Sequence, residues 1–350
     1  MTHTPLWYTQ EYAVPCRMNR YLLEPSGIPG HFDCCAVDIP FVFFHQNRYF
    51  MLYTGFDGIG YQSALAHSAD LIHWEFYCMV TPRLEPGRWD AESTSAACIL
   101  RENNSLYEIP TLRKVQGRYW LVYNSYPGTG YENGPAEIGL AWCESEDLRI
   151  WNRLDKPVFS WRQGAEWEQG GMYNTCLLEH AGRFYLFYNA KNAASVWREQ
   201  IGLAVSDDLL TWHRFYEHPV IPAGRYDFSS RFCANPYIVR DERAWLCFYF
   251  GFDGATACEC LAVSEDLLHW EQAPQPLFRA GKSGAVDEIH AHKPCVFFHK
   301  GILWHFYCGV RRRRPDDCGG FSDDYRGICL AASQPLHKDM QSLQVERKAW

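Results

Sequence analysis

Four copies of one phrase constrain this chain more than anything else in it: SADLIHWE at Ser68–Glu75, SEDLRIWN at Ser145–Asn152, SDDLLTWH at Ser206–His213 and SEDLLHWE at Ser264–Glu271. Each is a Ser-x-Asp-Leu-x-x-Trp element behind a small apolar segment (SALAHS, IGLAWCES, IGLAVS or CLAVS). A fifth such segment, GICLAAS at Gly327–Ser333, lacks the Asp and the Trp. Self-similarity of this kind marks a tandem array of one supersecondary unit, each copy burying its faces against its neighbours.

A second register gives the count. Aromatic-rich runs end in Tyr53, Tyr123, Tyr188, Tyr249 and Tyr307, and thirteen residues before each stands Pro40, Pro110, Thr175, Pro236 or Pro294. A polar turn (HQN, VQG, HAG, RDE or HKG) divides each interval. Short runs rich in Tyr, Phe, Val and Trp, broken by such turns, read as hairpin strands. The Ser-x-Asp-Leu-x-x-Trp phrase then forms the corner into a fourth strand. Four-stranded antiparallel sheets repeated radially make a β-propeller, in which repetition protects the sheet edges. The expectation is an all-β, five-bladed propeller in one domain, with blades near 33–80, 88–160, 165–222, 225–280 and 284–348. Blade 5 lacks a fourth strand of the repeating type, so residues 1–32 or 338–350 are expected to supply it.

Composition narrows the function. A net charge of −8 without a basic stripe argues against nucleic acid. The one basic run, Arg311–Arg314, reads as a solvated loop or as an anion contact near a pocket mouth. No stretch has the apolar length needed to span a membrane, and the first residues lack the charged and apolar regions of a secretory leader. Fifteen cysteines without CxxC spacing read as reduced, buried thiols in a cytoplasmic protein, with neither a disulfide framework nor a zinc site. The number of subunits is not legible.

In a propeller the innermost strands line a central funnel. Two residues before the marker proline or threonine stand Asp38, Glu108, Tyr173, Ala234 and His292. Equivalent positions of a purely structural repeat should be alike, so this divergence points to a pocket laid over the scaffold. Two carboxylates across a cavity are the machinery of glycoside cleavage, one donating a proton and the other activating water or attacking the sugar. Further acids precede the inner strands: Asp33, Asp90 and Glu92, Glu166 and Glu168, Asp227, Asp287 and Glu288. The recurring aromatic-acid pairs Trp89-Asp90, Trp167-Glu168 and Tyr226-Asp227 suggest that some of them cap loops. In blade 2, WDAESTSAACIL aligns with blade 3 and YEIPTLRKVQGRYWLVY with blade 1, so either Glu108 or the Asp90–Ser95 segment reaches the funnel, or both do. In EIHAHKP, His290 and His292 alternate onto the face of Glu288. They are structural histidines, sugar-hydroxyl partners, an acid, or ligands of an axial ion.

VDIPFVFFHQNRYFMLYTG followed by ALAHSADLIHWE resembles blade 1 of the five-bladed propeller glycosidases, glycoside hydrolase families 43 and 32 with their relatives 62, 68, 117 and 130. The resemblance implies that Asp38 is the base (family 43) or nucleophile (family 32). It implies that Glu108 is the acid, although in those families the acid comes from blade 3. A third carboxylate has no clean match, and Asp90 and Asp287 are its candidates. A blade-5 His in family 43 lies near the axis beside a calcium ion, and His292 fits that region. The resemblance thereby raises a structural calcium ion, while no other cofactor is expected. The Asn-Asp-Pro and Arg-Asp-Pro motifs of family 32 are absent, which argues against a fructan-type enzyme.

The leading expectation is an exo-acting glycosidase on short oligosaccharides or glycosides, inverting by the family 43 resemblance. Its catalytic candidates are Asp38, Glu108, Asp90, Glu168 and Asp287. Its substrate-binding candidates are His292, His290, Tyr173, Arg231, Lys293, Glu288 and Arg311. Two alternatives stay open. One is a family 130-like phosphorylase in which Arg231, Lys293 and Arg311 hold phosphate. The other is a propeller that binds carbohydrate without cleaving it.

Overall fold

The repeating unit folds as four antiparallel strands, and five such sheets follow one another along the chain in a computed structural model that describes residues 7–336 and 345–347. Inner strands are Ala36–His45, Ser93–Ile99, Met172–His180, Phe232–Arg240 and His290–His299. Middle strands are Arg48–Phe56, Arg118–Tyr126, Arg183–Lys191, Trp245–Phe252 and Ile302–Arg312. Third strands are Tyr61–Ser68, Glu137–Cys143, Glu199–Ser206, Ala257–Ser264 and Asp324–Ala332. Each sheet packs on the next, and the inner strand of blade 1 packs on blade 5, which brings the ring round to its start.

The first four blades draw their outer strand from the residues after the corner. Blade 5 takes Cys16–Met18 from the N-terminal segment instead, antiparallel to its third strand with Cys16 opposite Ala332. Val345–Arg347 pairs on the far side of Cys16–Met18. Both terminal segments therefore contribute, the N-terminal one as the fourth strand.

The corner recurs because its side chains complete its backbone. The Ser68 hydroxyl accepts from the Asp70 and Leu71 amides, Asp70 Oδ1 accepts from Ile72 and His73, and Trp74 Nε1 donates to the Leu71 carbonyl at 3.1 Å. Trp151, Trp212 and Trp270 make the same bond to Leu148, Leu209 and Leu267. Those leucines take left-handed φ values of 55–70°, where a branched side chain is strained. Their burial and the surrounding bonds hold them there.

The marker tyrosine has an equally local cause. In blade 3, Tyr188 donates to Glu168 at 2.6 Å, and Arg214, two residues after the corner Trp, donates to the same carboxylate at 2.9 Å. Blade 2 repeats this with Tyr123 and Arg153 on Asp90, and blade 5 with Tyr307 and Arg17 on Asp287. A buried carboxylate thus ties the segment leading into the inner strand to the middle and outer strands of one sheet. Blade 4 replaces the charged pair by Ser229 and Gln272. In blade 1 the acid is Asp33 but Phe76 stands at the arginine position. There burial raises the pKa of Asp33, and its Oδ1 has no partner. The acid of this clamp lies five residues before each inward-pointing position, so Asp227 is not its blade-4 member.

The segment after the inner strand of blade 2 closes one end of the ring. Leu106 donates to the Arg240 carbonyl and accepts from the Phe298 amide, the Pro110 carbonyl accepts from Phe44, and Asn104 Nδ2 donates to the Glu179 carbonyl. These contacts reach the tail ends of the inner strands of blades 1, 3, 4 and 5.

Replacing Glu168 by Ala would leave the Arg214 charge and the Tyr188 hydroxyl buried without their partner, a loss of about 3–5 kcal/mol. Glu166→Ala, on the exposed neighbour, should stay within roughly 0.5 kcal/mol. Denaturant unfolding of both variants checks this contrast.

Candidate functional site

Each inner strand carries a bulge beside the position that points inward: Asp38, Tyr173, Ala234 and His292 lie at the register breaks, and in blade 2 Ser95 lies one residue before the break at Ala96. A bulge re-aims a side chain and tightens the local twist. In four blades the next residue is left-handed without being glycine: Ile39 (φ 54°), Asn174 (46°), Asn235 (55°) and Lys293 (65°). Strain of this kind costs roughly 1–3 kcal/mol per residue and clusters at functional sites. In blade 2 the inward position belongs to Ser95. Glu108 is exposed on the closing segment, at the end of the ring opposite the bulges. The expectation that Glu108 supplies the acid is therefore corrected. The Pro110 register that suggested it belongs to an insertion that mimics a blade-1 inner strand.

At the bulged end lies a pocket of about 340 Å³ whose wall includes Tyr173, His290, His292, Lys293, Arg231 and Arg326. The aromatic rings of Tyr131, Trp197, Phe232, Phe250 and Phe252 also line it, as do two carboxyls, Glu132 and Glu199. A mostly aromatic concavity with a few converging polar groups is the usual form of a small-molecule site.

Glu199 opens the third strand of blade 3 and is buried. Its carboxyl accepts from Trp197 Nε1 at 3.0 Å and from Asn189 Nδ2 at 3.2 Å. Loss of water and then the nearby charge of Glu132 push its pKa up to about 7. At neutral pH this group can still give up a proton, a poise suited to a general acid.

Asp38 is held in the opposite state. Burial disfavours its charge, but the Lys293 ammonium, with the Arg326 guanidinium, outweighs that and keeps the carboxyl well below its ordinary range. Lys293 Nζ donates to Asp38 Oδ2, and Arg326 approaches the same oxygen at 3.5 Å. Asp38 does not line the pocket, contrary to expectation; it holds two cations, Lys293 and Arg326, that do. Arg326 donates to the Tyr131 hydroxyl at 2.8 Å, which ties the blade-2 hairpin carrying Glu132 to blade 5. His292 Nδ1 donates to the Cys308 carbonyl at 2.9 Å, and His290 Nδ1 accepts from the Ala257 amide at 3.1 Å. Burial, reinforced by neighbouring cations, lowers both imidazole pKa values, to about 4 for His290, so both are neutral: His292 keeps Nε2 as an acceptor and His290 keeps an Nε2 proton to donate.

Of the substrate-binding candidates, the pocket gathers His290, His292, Tyr173, Arg231 and Lys293. Glu288 and Arg311 lie elsewhere and are corrected. Glu288 accepts from the Gly284 and Arg312 amides, and Arg311 forms a two-pronged pair with Asp317 at 2.5 and 2.7 Å. Asp90, Glu168 and Asp287 are also corrected, because they are consumed in the tyrosine–arginine clamps and none lines the pocket. Glu199 carries a sequence signal in a different register. Four residues before the Leu-Ala of the five small apolar segments stand Tyr61, Ala136, Glu199, Ala257 and Arg326. The third strands diverge at the pocket just as the inner ones do. Glu132 is on a hairpin without a repeat register and leaves no such trace.

Asp38, His292 and Cys308 bring potential ligand atoms within 4.8 Å of one another. The set does not suit the calcium ion that the family resemblance raised. Calcium takes six to eight oxygens, whereas this set offers one carboxylate beside an imidazole and a thiol, and the Lys293 ammonium already neutralises that carboxylate.

The family described as Glycosyl hydrolases family 32 N-terminal domain matches residues 102–294, more than half of the chain. A β-1,2-mannobiose phosphorylase of Thermoanaerobacter sp. (strain X514) is 26% identical over 173 residues, 45% of this chain and 57% of that protein, so the chain spans little more than half the length of this curated relative. A solved structure of BT0996 in an RGII complex is 25% identical with a TM-score of 0.78, covering 94% of this chain and 96% of its own. A structure from the GH130 family of mannoside phosphorylases, which contains glycoside hydrolases that target β-1,2-mannosidic linkages in Candida mannan, shares the fold at 15% identity and a TM-score of 0.64, covering 92% and 96%. Among the described residues no helix is long and apolar enough to cross a membrane.

A carboxyl held at about 7 in the fold, against an ordinary 4.5, keeps its proton in the native state while the unfolded chain releases it. Stability contributed by that proton is complete below about pH 4.5 and is lost as pH rises through about 7. Glu199→Gln should therefore be more stable than the wild type at pH 8 by on the order of 3 kcal/mol, with little difference at pH 4.5. Thermal unfolding at the two pH values measures this.

Proposed function

Because the chain belongs to the family of the glycosyl hydrolases family 32 N-terminal domain, we propose that it is an exo-acting glycosidase whose proton donor is Glu199 and whose second carboxylate is Glu132. The observation that carries this reading is the pairing, in one aromatic pocket, of two carboxyls of which one is poised to hold a proton at neutral pH. The donor comes from blade 3, as the resemblance to families 43 and 32 implies, although from its third strand.

The closed far end supports the exo mode. With the Leu106 segment plugging the ring and the Asp38–Lys293–Arg326 cluster behind the pocket wall, a glycan chain cannot thread through. It must enter end-on, with its terminal ring against the aromatic wall. Protonation of the glycosidic oxygen by Glu199 lets the leaving group depart as an alcohol. Glu132 stabilises the positive charge that develops at the ring, or directs water to it. Lys293 and Arg326, aligned by Asp38, and the neutral His290 and His292 supply donors and acceptors for ring hydroxyls.

Phosphorolysis is a second reading, favoured by the cations Lys293, Arg326 and Arg231 in the wall and by the phosphorylases among the relatives. Turnover of a panel of aryl glycosides and of β-1,2-mannobiose, with and without inorganic phosphate, separates the two. The glycosidase reading expects release of reducing sugar without phosphate, whereas strictly phosphate-dependent turnover supports phosphorolysis.

Glu199→Gln should lower kcat at least about a hundredfold on substrates with poor leaving groups, and less on activated aryl glycosides. In the wild type kcat/KM should fall tenfold per pH unit above about 7, as Glu199 loses its proton, and this limb should vanish in the variant. A limb unchanged by Glu199→Gln assigns the proton to another group.

A further inference from the structure

The pocket wall is uneven, and its height follows from the hairpins between middle and third strands. These span residues 57–60 in blade 1, 127–136 in blade 2, 192–198 in blade 3, 253–256 in blade 4 and 313–323 in blade 5. Only blades 1 and 4 are short. The blade-1 hairpin is roofed over, since Gly130 of the long blade-2 hairpin donates to the Ile59 carbonyl at 2.6 Å. Blade 4 is left as the low side. Its hairpin is tightly made, with Asp253 Oδ1 accepting from the Ala255 and Thr256 amides, both at 2.8 Å, so the gap is a built feature of the rim.

Directly across that low wall lies a second concavity of about 750 Å³, lined by Tyr226, Asp227, Asp253, Gln275 and Arg279. Gly254 lines both this groove and the axial pocket, so the two share one thin partition. With φ at +106°, Gly254 favours having no side chain there. Arg231 of the pocket lies beneath it, its side chain 3.6 Å from where a Cβ would stand.

We infer that the blade-4 groove binds the leaving-group side of the substrate, and that this is a chain of neutral sugar units. This rests on the glycosidase reading and adds the direction and chemical class of the leaving group. The groove has more than twice the volume of the pocket, so it holds more than one ring where the pocket holds the terminal one. Asp227 and Asp253 supply acceptors for hydroxyls, and Gln275 and Arg279 supply donors. Two carboxylates against the one guanidinium of Arg279 leave the groove lining net negative, which disfavours a chain of uronic acids.

Ala255 is exposed on the hairpin and lines the groove, so Ala255→Trp fills it without disturbing the core. The test compares kcat/KM of wild type and Ala255→Trp on two substrates with one terminal sugar, the aryl glycoside found active above and a neutral tetrasaccharide. The ratio of tetrasaccharide to aryl glycoside activity should fall at least tenfold in the variant, and Asp227→Ala should shift it the same way. An unchanged ratio in both variants overturns the groove assignment while leaving the glycosidase reading intact. A wild type inactive on both substrates overturns the glycosidase reading and the groove with it.

Discussion

The ring depends on one ion pair. Arg17 lies on a three-residue strand far from blade 5 in sequence, yet its guanidinium meets Asp287 at 2.6 Å and also donates to the Arg279 carbonyl. Both groups are nearly inaccessible to water, so each charge would be costly alone and the two are tolerated only together. Tyr307 completes the clamp that blades 2 and 3 build within their own sheets. Blade 5 thus borrows an N-terminal arginine to finish a device the other blades make locally. An axial pocket exists only if that join holds.

Within the closed ring, two carboxyls a blade or two apart are driven to opposite protonation states. Asp38 is surrounded by cations and stays ionised. Glu199 has hydrogen-bond donors and the charge of Lys191 nearby, but burial and the charge of Glu132 outweigh them. Burial is common to both, so partners decide the outcome. A family-level resemblance points at Asp38, but its place behind Lys293 gives it the task of holding cations in the wall. In the proposed reading the proton donor, which the resemblance placed at Glu108, is Glu199 on the third strand of blade 3.

Much of this is legible in sequence. The corner phrase and the marker tyrosine reveal five four-stranded blades because both are local devices whose side chains satisfy their own backbone or clamp their own sheet. Asp38, Tyr173, His290, His292 and Lys293 stand out because inner-strand positions repeat while their residues diverge. Glu108 misleads because Pro110 reproduces the spacing of an inner strand on a segment that instead plugs the ring. Asp90, Glu168 and Asp287 mislead because a buried structural carboxylate and a catalytic one are the same residue type. Only the partnering arginine, remote in sequence for Asp287, separates them. Glu199 stays hidden while divergence is sought on one strand of each blade, and Glu132 stays hidden because hairpins carry no register.

The central claim is positional: the bond to be broken lies against Glu199, with Glu132 across the sugar from it. A crystal structure of the Glu199→Gln protein with an uncleaved oligosaccharide tests it most directly. The expected result is the substituted carboxamide at position 199 within hydrogen-bond reach of the glycosidic oxygen, and Glu132 beside the anomeric carbon. A scissile bond seated against Asp38, or a terminal ring bound outside the axial pocket, would contradict it.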